Sequence, residues 1–160
     1  MKESDFNAEV VRSLKAHNGW AYKLGDIPAS ITAGLNFVPE KPCDILGGYK
    51  GKFVAIEGKQ FKKFQAFNIN HLRPSQIKAM KEMTAAGLRG FIFLNIRIKA
   101  IKGEQSHENR VIIFDWKEWG QRIEENSIKQ KELMALPFIS GKTVKDKGII
   151  YDLETFLEGL

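Results

Sequence analysis

Apolar residues recur at helical spacing from Ser4 to about Ala16, where Phe6, Val10, Val11 and Leu14 share one stripe and Ser4 or Asp5 can cap the first turn. The pattern predicts an amphipathic first helix, ended by Asn18-Gly19. Trp20-Ala21-Tyr22-Lys23-Leu24 then reads as a short strand rich in aromatic residues. Gly25 to Pro42 has little periodicity and reads as a long loop, and long loops in small domains often carry function. From Cys43 to Lys59 the pattern is that of a β-hairpin turning at Lys50-Gly51, with Asp44-Ile45-Leu46-Gly47-Gly48-Tyr49 leading out and Lys52-Phe53-Val54-Ala55-Ile56-Glu57-Gly58-Lys59 returning.

Pro74 opens a second helix whose apolar positions Ile77, Met80, Met83 and Ala86 follow one stripe, and Gly87 stops it. Gly90 to Ile96 and Val111 to Phe114 are dense apolar runs of strand length, expected to be buried on both faces and joined by the polar segment Gly103 to Asn109. Trp116 to about Met134 predicts one or two helices. Ile149-Ile150-Tyr151 predicts a strand, and Asp152 to Leu157 a closing helix capped by Asp152. The sum is an α/β fold: a central mixed sheet of four to five strands flanked by helices.

Composition narrows this picture. A chain of 160 residues with 43% hydrophobic residues suits one domain with a real core. The single cysteine, Cys43, excludes an internal disulfide and a cysteine-rich zinc site, so a reducing, cytoplasmic setting is expected. The N-terminus is polar, and no apolar run approaches the roughly 18 residues that span a bilayer, so neither signal peptide nor membrane partner is expected. A formal charge of +6 makes polyanions plausible partners.

The chemistry sits on the hairpin. Alternation along a strand sends Glu57 and Lys59 to one face. With Lys50-Gly51 as a two-residue turn, Tyr49 pairs with Lys52, and counting outwards sets Asp44 opposite Glu57. Directly opposed residues have Cα atoms about 4.5 to 5.5 Å apart, close enough for two carboxylates to share a divalent ion. Without a cation the two would repel and hold protons. Magnesium suits them, because it binds through one or two carboxylates and completes its shell with waters and phosphate oxygens. Lys59 would then orient the nucleophile and offset charge in the transition state, the parts needed for phosphodiester hydrolysis. A solvated strand face with a surface ion pair is the competing reading of the same three residues; the apolar neighbours Val54, Ala55, Ile56, Ile45 and Leu46 argue against it.

Glu9 borders the apolar stripe of the first helix and is a further candidate carboxylate, although a solvent-facing glutamate fits the periodicity as well. Gln76, in the first turn of the second helix, could hydrogen-bond a phosphate, a water or a ligand carboxylate, or be a surface residue. Lys41, Lys62, Lys63 and Arg73 flank the site in sequence and could hold phosphates, whereas Lys50 and Lys52 read as residues that keep a hairpin tip soluble. His71 and His107 lack a second histidine at ligand spacing, and Trp116 and Trp119 read as core or dimer surface.

The pattern Pro42-Cys43-Asp44 followed by Glu57-Gly58-Lys59 resembles the signature of the PD-(D/E)XK nuclease superfamily, and the whole run from Asp44 to Lys59 resembles the hairpin of RecU-type Holliday junction resolvases. Phe67, Ile69, Leu72 and Gln76 continue the likeness into the next helix; the first helix with Phe6 and Glu9, and the segments Leu136 to Ser140 and Tyr151 to Leu157, are similar too. The resemblance implies a restriction-endonuclease-like fold over residues 1–160 as a single nuclease domain. It also implies a metal held by Asp44, Glu57 and the Gly58 carbonyl, with magnesium as cofactor, manganese able to substitute, and no organic cofactor. By position, Lys59 matches the lysine that organises the attacking water, Gln76 a helix glutamine beside it, and Glu9 the first-helix glutamate. The family further implies a homodimer that makes paired nicks in a four-way junction. One departure stands out: RecU-type chains carry a long stalk before the metal-binding aspartate, and here it is shortened or missing. In this the chain is more similar to the small archaeal-type (Hjc) or phage resolvases, in which a mobile loop bears a serine near the site; Ser30 is the counterpart. A phage-encoded chain would work in its host's cytoplasm.

The expected function is therefore metal-dependent, structure-specific cleavage of branched DNA in recombination and repair. A restriction-like, flap or repair nuclease of the same superfamily is the alternative, and a noncatalytic nucleic-acid-binding domain a third reading.

Overall fold

The structure, a computed structural model, describes residues 3–25, 41–98 and 108–160. Ser30, His107 and most of the predicted loop between Gly25 and Pro42 lie outside them. In chain order the described elements are α1 (Glu3–Ala16), β1 (Trp20–Lys23), β2 (Ile45–Tyr49), β3 (Lys52–Phe61), a 3-10 turn (Ile69–His71), α2 (Pro74–Ala85), β4 (Arg89–Ile98), β5 (Glu108–Asp115), α3 (Trp116–Glu125), α4 (Gln130–Ala135), β6 (Ile139–Val144), β7 (Gly148–Tyr151) and α5 (Glu154–Glu158).

The strands form one mixed sheet in the order β1-β2-β3-β4-β5-β6-β7. Only β3 and β4 run parallel, joined by α2 as the crossover; the other neighbours are antiparallel. Among the described residues the sheet has seven strands, where a central sheet of four to five is expected. The pattern predicts six of them individually and misses β6, Ile-Ser-Gly-Lys-Thr-Val, whose side chains are mostly exposed. It hangs on β5 through the pairs Arg110–Ser140 and Val111–Ile139 and on β7 through a four-residue ladder, so backbone pairing rather than apolar alternation makes it a strand. The closing helix also starts later than predicted: Leu153 is buried at its entrance, and Asp152 only accepts the Glu154 N–H at 3.4 Å.

Helices cover both sheet faces. Phe6, Val10 and Leu14 of α1 pack with Ile45, Val54, Ile56, Phe91 and Phe93 on one side. Met80 of α2 and Trp116 and Ile123 of α3 pack with Ile92, Leu94 and Phe114 on the other. Alternation of phenylalanines to one face and aliphatic residues to the other explains why β4 reads as a continuous apolar run. Trp116 belongs to the core, Trp119 packs edge-on to Phe114 with centroids 5.2 Å apart, and His71 stacks on Phe67 while hydrogen-bonding Asn68. Among the described residues, no helix is long and apolar enough to cross a membrane.

Candidate active site

The hairpin turn sets the register of the site. Lys50 and Gly51 both take left-handed backbone angles, with φ 47° and 78°, as a two-residue turn that matches strand twist requires. Tyr49 consequently pairs with Lys52 and Ile45 with Ile56. The Asp44 N–H donates to the Ile56 carbonyl at 3.1 Å, so Asp44 stands beside Glu57 at the open end of the hairpin. Along β3, Val54 and Ile56 enter the α1 face, and alternation sends Glu57 and Lys59 to the other.

Both carboxylates are buried, Asp44 at 3% and Glu57 at 0% exposure. Asp44 lies 2.8 Å from Lys41 Nζ and accepts the Gly58 N–H at 3.2 Å. In an extended strand the carbonyl of a residue points to the same side as its N–H, so Gly58 turns its oxygen towards Asp44 as well. Glu57 Oε1 lies 2.9 Å from Lys59 Nζ and accepts a hydrogen bond from Gln76 Nε2. Gln76 also caps its own helix, its Oε1 accepting the Arg73 N–H at 2.8 Å; the Pro74 start of α2 therefore fixes where this amide points.

Burial, then the charge of Asp44, pushes the Glu57 carboxyl up to about 7 despite the adjacent Lys59 ammonium. The Cys43 thiol is pushed up to about 12 by burial and by Glu57 and Asp44, which leaves it inert at neutral pH.

Glu3 joins this pair from the first turn of α1. One oxygen from each of Glu3, Asp44 and Glu57 lies within 4.8 Å of the others. Glu3 is 3.8 Å from Lys59 Nζ, and burial raises its pKa. Glu57 Oε2 is buried with no hydrogen-bond partner. Three carboxylates with converging oxygens, one of which, Glu57, has an unpartnered oxygen, fit a small divalent cation that prefers oxygen ligands.

The predicted site residues thus divide. Asp44, Glu57, Gly58, Lys59 and Gln76 come together. Glu9 does not: its carboxylate is gripped by Arg97, 2.5 Å from Nη2 and 3.2 Å from Nη1, and accepts the Tyr151 hydroxyl at 3.0 Å. It turns towards β4 and β7, which the helical stripe alone could not reveal. Lys41 neutralises Asp44. Lys62 and Lys63 are exposed just past β3, and Arg73 is exposed where α2 begins. The sequence reading missed Glu3, because the apolar spacing starts the helix at Ser4, whereas in the structure α1 begins one residue earlier and an acid there also suits the helix dipole.

A pH dependence follows. A carboxyl whose folded pKa exceeds its unfolded value contributes stability that is fully present below the unfolded value, 4.5, and lost as pH rises through about 7. Calorimetry of the metal-free protein should show a melting temperature that falls between pH 5 and 8, and Glu57→Gln should flatten that slope. Magnesium should restore stability at pH 8 and much less at pH 5.5, where it must displace the proton. An equal slope in Glu57→Gln would count against this assignment.

The sequence matches the RecU family, described as recombination protein U, over residues 26–147. No curated protein matches it. Among solved structures it is similar to Archaeoglobus fulgidus Hjc, a Holliday junction resolvase from an archaeal hyperthermophile, with 15% identity, a TM-score of 0.41, and coverage of 71% of this chain and 75% of that one.

Proposed function

The chain belongs to the RecU family of recombination proteins, and from that premise we propose that it is a divalent-metal-dependent endonuclease resolving four-way DNA junctions. The observation that carries the reading is the buried trio Asp44, Glu57 and Lys59, with the unpartnered Glu57 oxygen, at the open end of the β2–β3 hairpin. A protein that only binds DNA has no use for clustered carboxylates facing phosphates.

In this reading Asp44, Glu57, Glu3 and the Gly58 carbonyl hold magnesium, for which manganese can substitute. Bound there, the cation supplies Lewis-acid charge to the scissile phosphate. Lys59 orients the attacking water and offsets charge that develops on the phosphate oxygens. Gln76 holds Glu57 in place from α2. Residues 1–160 act as one nuclease domain, and a homodimer matches the two-fold substrate.

Cleavage of four-way junction, flap, linear duplex and single-stranded DNA, with magnesium and with chelator, tests the reading. Paired symmetric cuts confined to the junction, and none with chelator, are expected. Equal cleavage of linear duplex would instead assign a general nuclease of the same superfamily, and cleavage in chelator would remove the metal.

Lys62, Lys63 and Arg73 hold DNA phosphates near this site without reading bases. Charge reversal at Lys62 and Lys63 should weaken binding to all sequences alike. It should also reduce the slope of log affinity against log salt by about 0.9 for each phosphate that is no longer neutralised. A slope that stays unchanged in binding titrations from low to high salt would remove both lysines from the interface.

A further inference from the structure

A second orphan oxygen packs on Gly58, the residue that follows Glu57. Asn7 is 3% exposed, and its Oδ1 is buried with no hydrogen-bond partner. Among the described residues, only Asn7, Glu57 and Glu108 bury a side-chain oxygen or nitrogen in this way. Asn7 meets Gly58 from the α1 face, across the strand from the Glu57 and Lys59 side chains. The amide of Asn7 packs directly on that glycine, so a Cβ added at position 58 would overlap its oxygen. Gly58 is also the residue whose N–H is held by Asp44, between Glu57 and Lys59. Along α1, Asn7 stands one turn after Glu3, and residues four apart share a helix face. The helix therefore carries two oxygen-bearing side chains in succession, a carboxylate that reaches Asp44 and Glu57 and a neutral amide against the backbone of Gly58, whose carbonyl is a proposed ligand.

Ordinary packing does not explain this amide. The buried face of α1 holds Phe6, Val10 and Leu14 with two further polar residues, Glu9 and Ser13; both of those have hydrogen-bond partners, and an apolar side chain at position 7 would need none. A buried acceptor without a donor is a standing cost unless a donor arrives. Magnesium keeps several of its waters when carboxylates bind it, and those waters are strong donors that need acceptors. A fourth carboxylate beside Glu3, Asp44 and Glu57 would add repulsion; an amide accepts without adding charge.

We propose that Asn7 is a positioning residue of this site, its Oδ1 accepting a hydrogen bond from a water of the hydrated divalent cation. The inference rests on the cation reading above. It makes α1 the wall that fixes where that water sits relative to Gly58 and Glu57.

Magnesium titration by calorimetry, together with melting of the metal-free protein, tests it on the full chain without relying on cleavage. Asn7→Leu removes the orphan oxygen, so its metal-free melting temperature should equal or exceed that of the wild type. Its magnesium dissociation constant should rise about tenfold or more, the usual effect of removing a group that hydrogen-bonds a metal's ligands. Asn7→Asp keeps an acceptor and should bind magnesium at least as tightly as the wild type while melting lower without it. Asn7→Ala, which only removes atoms, repeats the measurement if leucine is not accommodated. Unchanged magnesium affinity in the leucine and alanine variants, with a wild type that binds, would overturn the role of Asn7 alone. Equal losses of melting temperature with and without magnesium would assign it to packing. A wild type that binds no magnesium would overturn the cation reading, and Asn7 with it.

Discussion

Asp44→Asn and Glu57→Gln should each lower junction cleavage by about a thousandfold or more while leaving junction binding unchanged or tighter. A bound metal stabilises phosphoryl transfer by several kcal/mol, and each 1.36 kcal/mol is about tenfold in rate. Both substitutions keep shape and remove one negative charge. At position 57 the change removes a carboxylate that sits at 0% exposure with one oxygen unpartnered, so the metal-free variant should melt no lower than the wild type. At position 44 an amide oxygen can still accept the Gly58 N–H. Less negative charge near the phosphates favours DNA binding, which separates lost chemistry from lost recognition. Single-turnover cleavage and gel-shift titration on one junction read both quantities. Cleavage within tenfold of wild type by both variants would remove the site.

The second large effect concerns stability rather than chemistry. Arg97→Met should destabilise the fold by about 3–5 kcal/mol, because removing one partner leaves a buried charge uncompensated. The pair is deep, with side chains 11% and 6% exposed, and the Arg97 Nη2 to Glu9 Oε2 distance is 2.5 Å. Tyr151 donates to the same carboxylate at 3.0 Å, and burial with Glu9 beside it raises the phenol pKa, which keeps the hydroxyl a donor. Glu9→Gln should destabilise for the same reason, leaving Arg97 without its counter-ion. Combining Glu9→Leu with Arg97→Met should recover much of the loss, since an apolar pair needs no compensation. Urea unfolding measures all of these. Cleavage per folded molecule should stay near wild type in Glu9→Gln; a loss comparable to Asp44→Asn without a loss of stability would return Glu9 to the active site.

Glu9 and Glu3 show where sequence reading stops. Both are acids on one helix, but periodicity says only that Glu9 borders its buried stripe, and it starts the helix at Ser4, one residue after Glu3. Which of them meets the carboxylates of the hairpin depends on which end of α1 lies across β3, and on Arg97 and Tyr151 arriving from β4 and β7. Neither is a local property. Asn7 did leave a local trace, as a polar residue inside an apolar stripe, but the trace does not say what the amide faces. The strand β6 left none, because its side chains are mostly exposed and its identity comes from backbone pairing with β5 and β7.

The hairpin is the opposite case. Lys50-Gly51 demands a two-residue turn, that turn fixes the pairing of Tyr49 with Lys52, and strict alternation then carries Asp44 to the side of Glu57. Every step acts between residues close in the chain, so the amino-acid order alone determined the carboxylate pair and the lysine beside it, whereas the contact of Gln76 with Glu57 depends on how α2 packs against β3. Tertiary structure decided the rest: the third carboxylate, the fate of Glu9 and the amide packed on Gly58. Those depend on how a helix crosses a sheet, and crossing is governed by packing between distant segments, for which a single strand or helix carries no code.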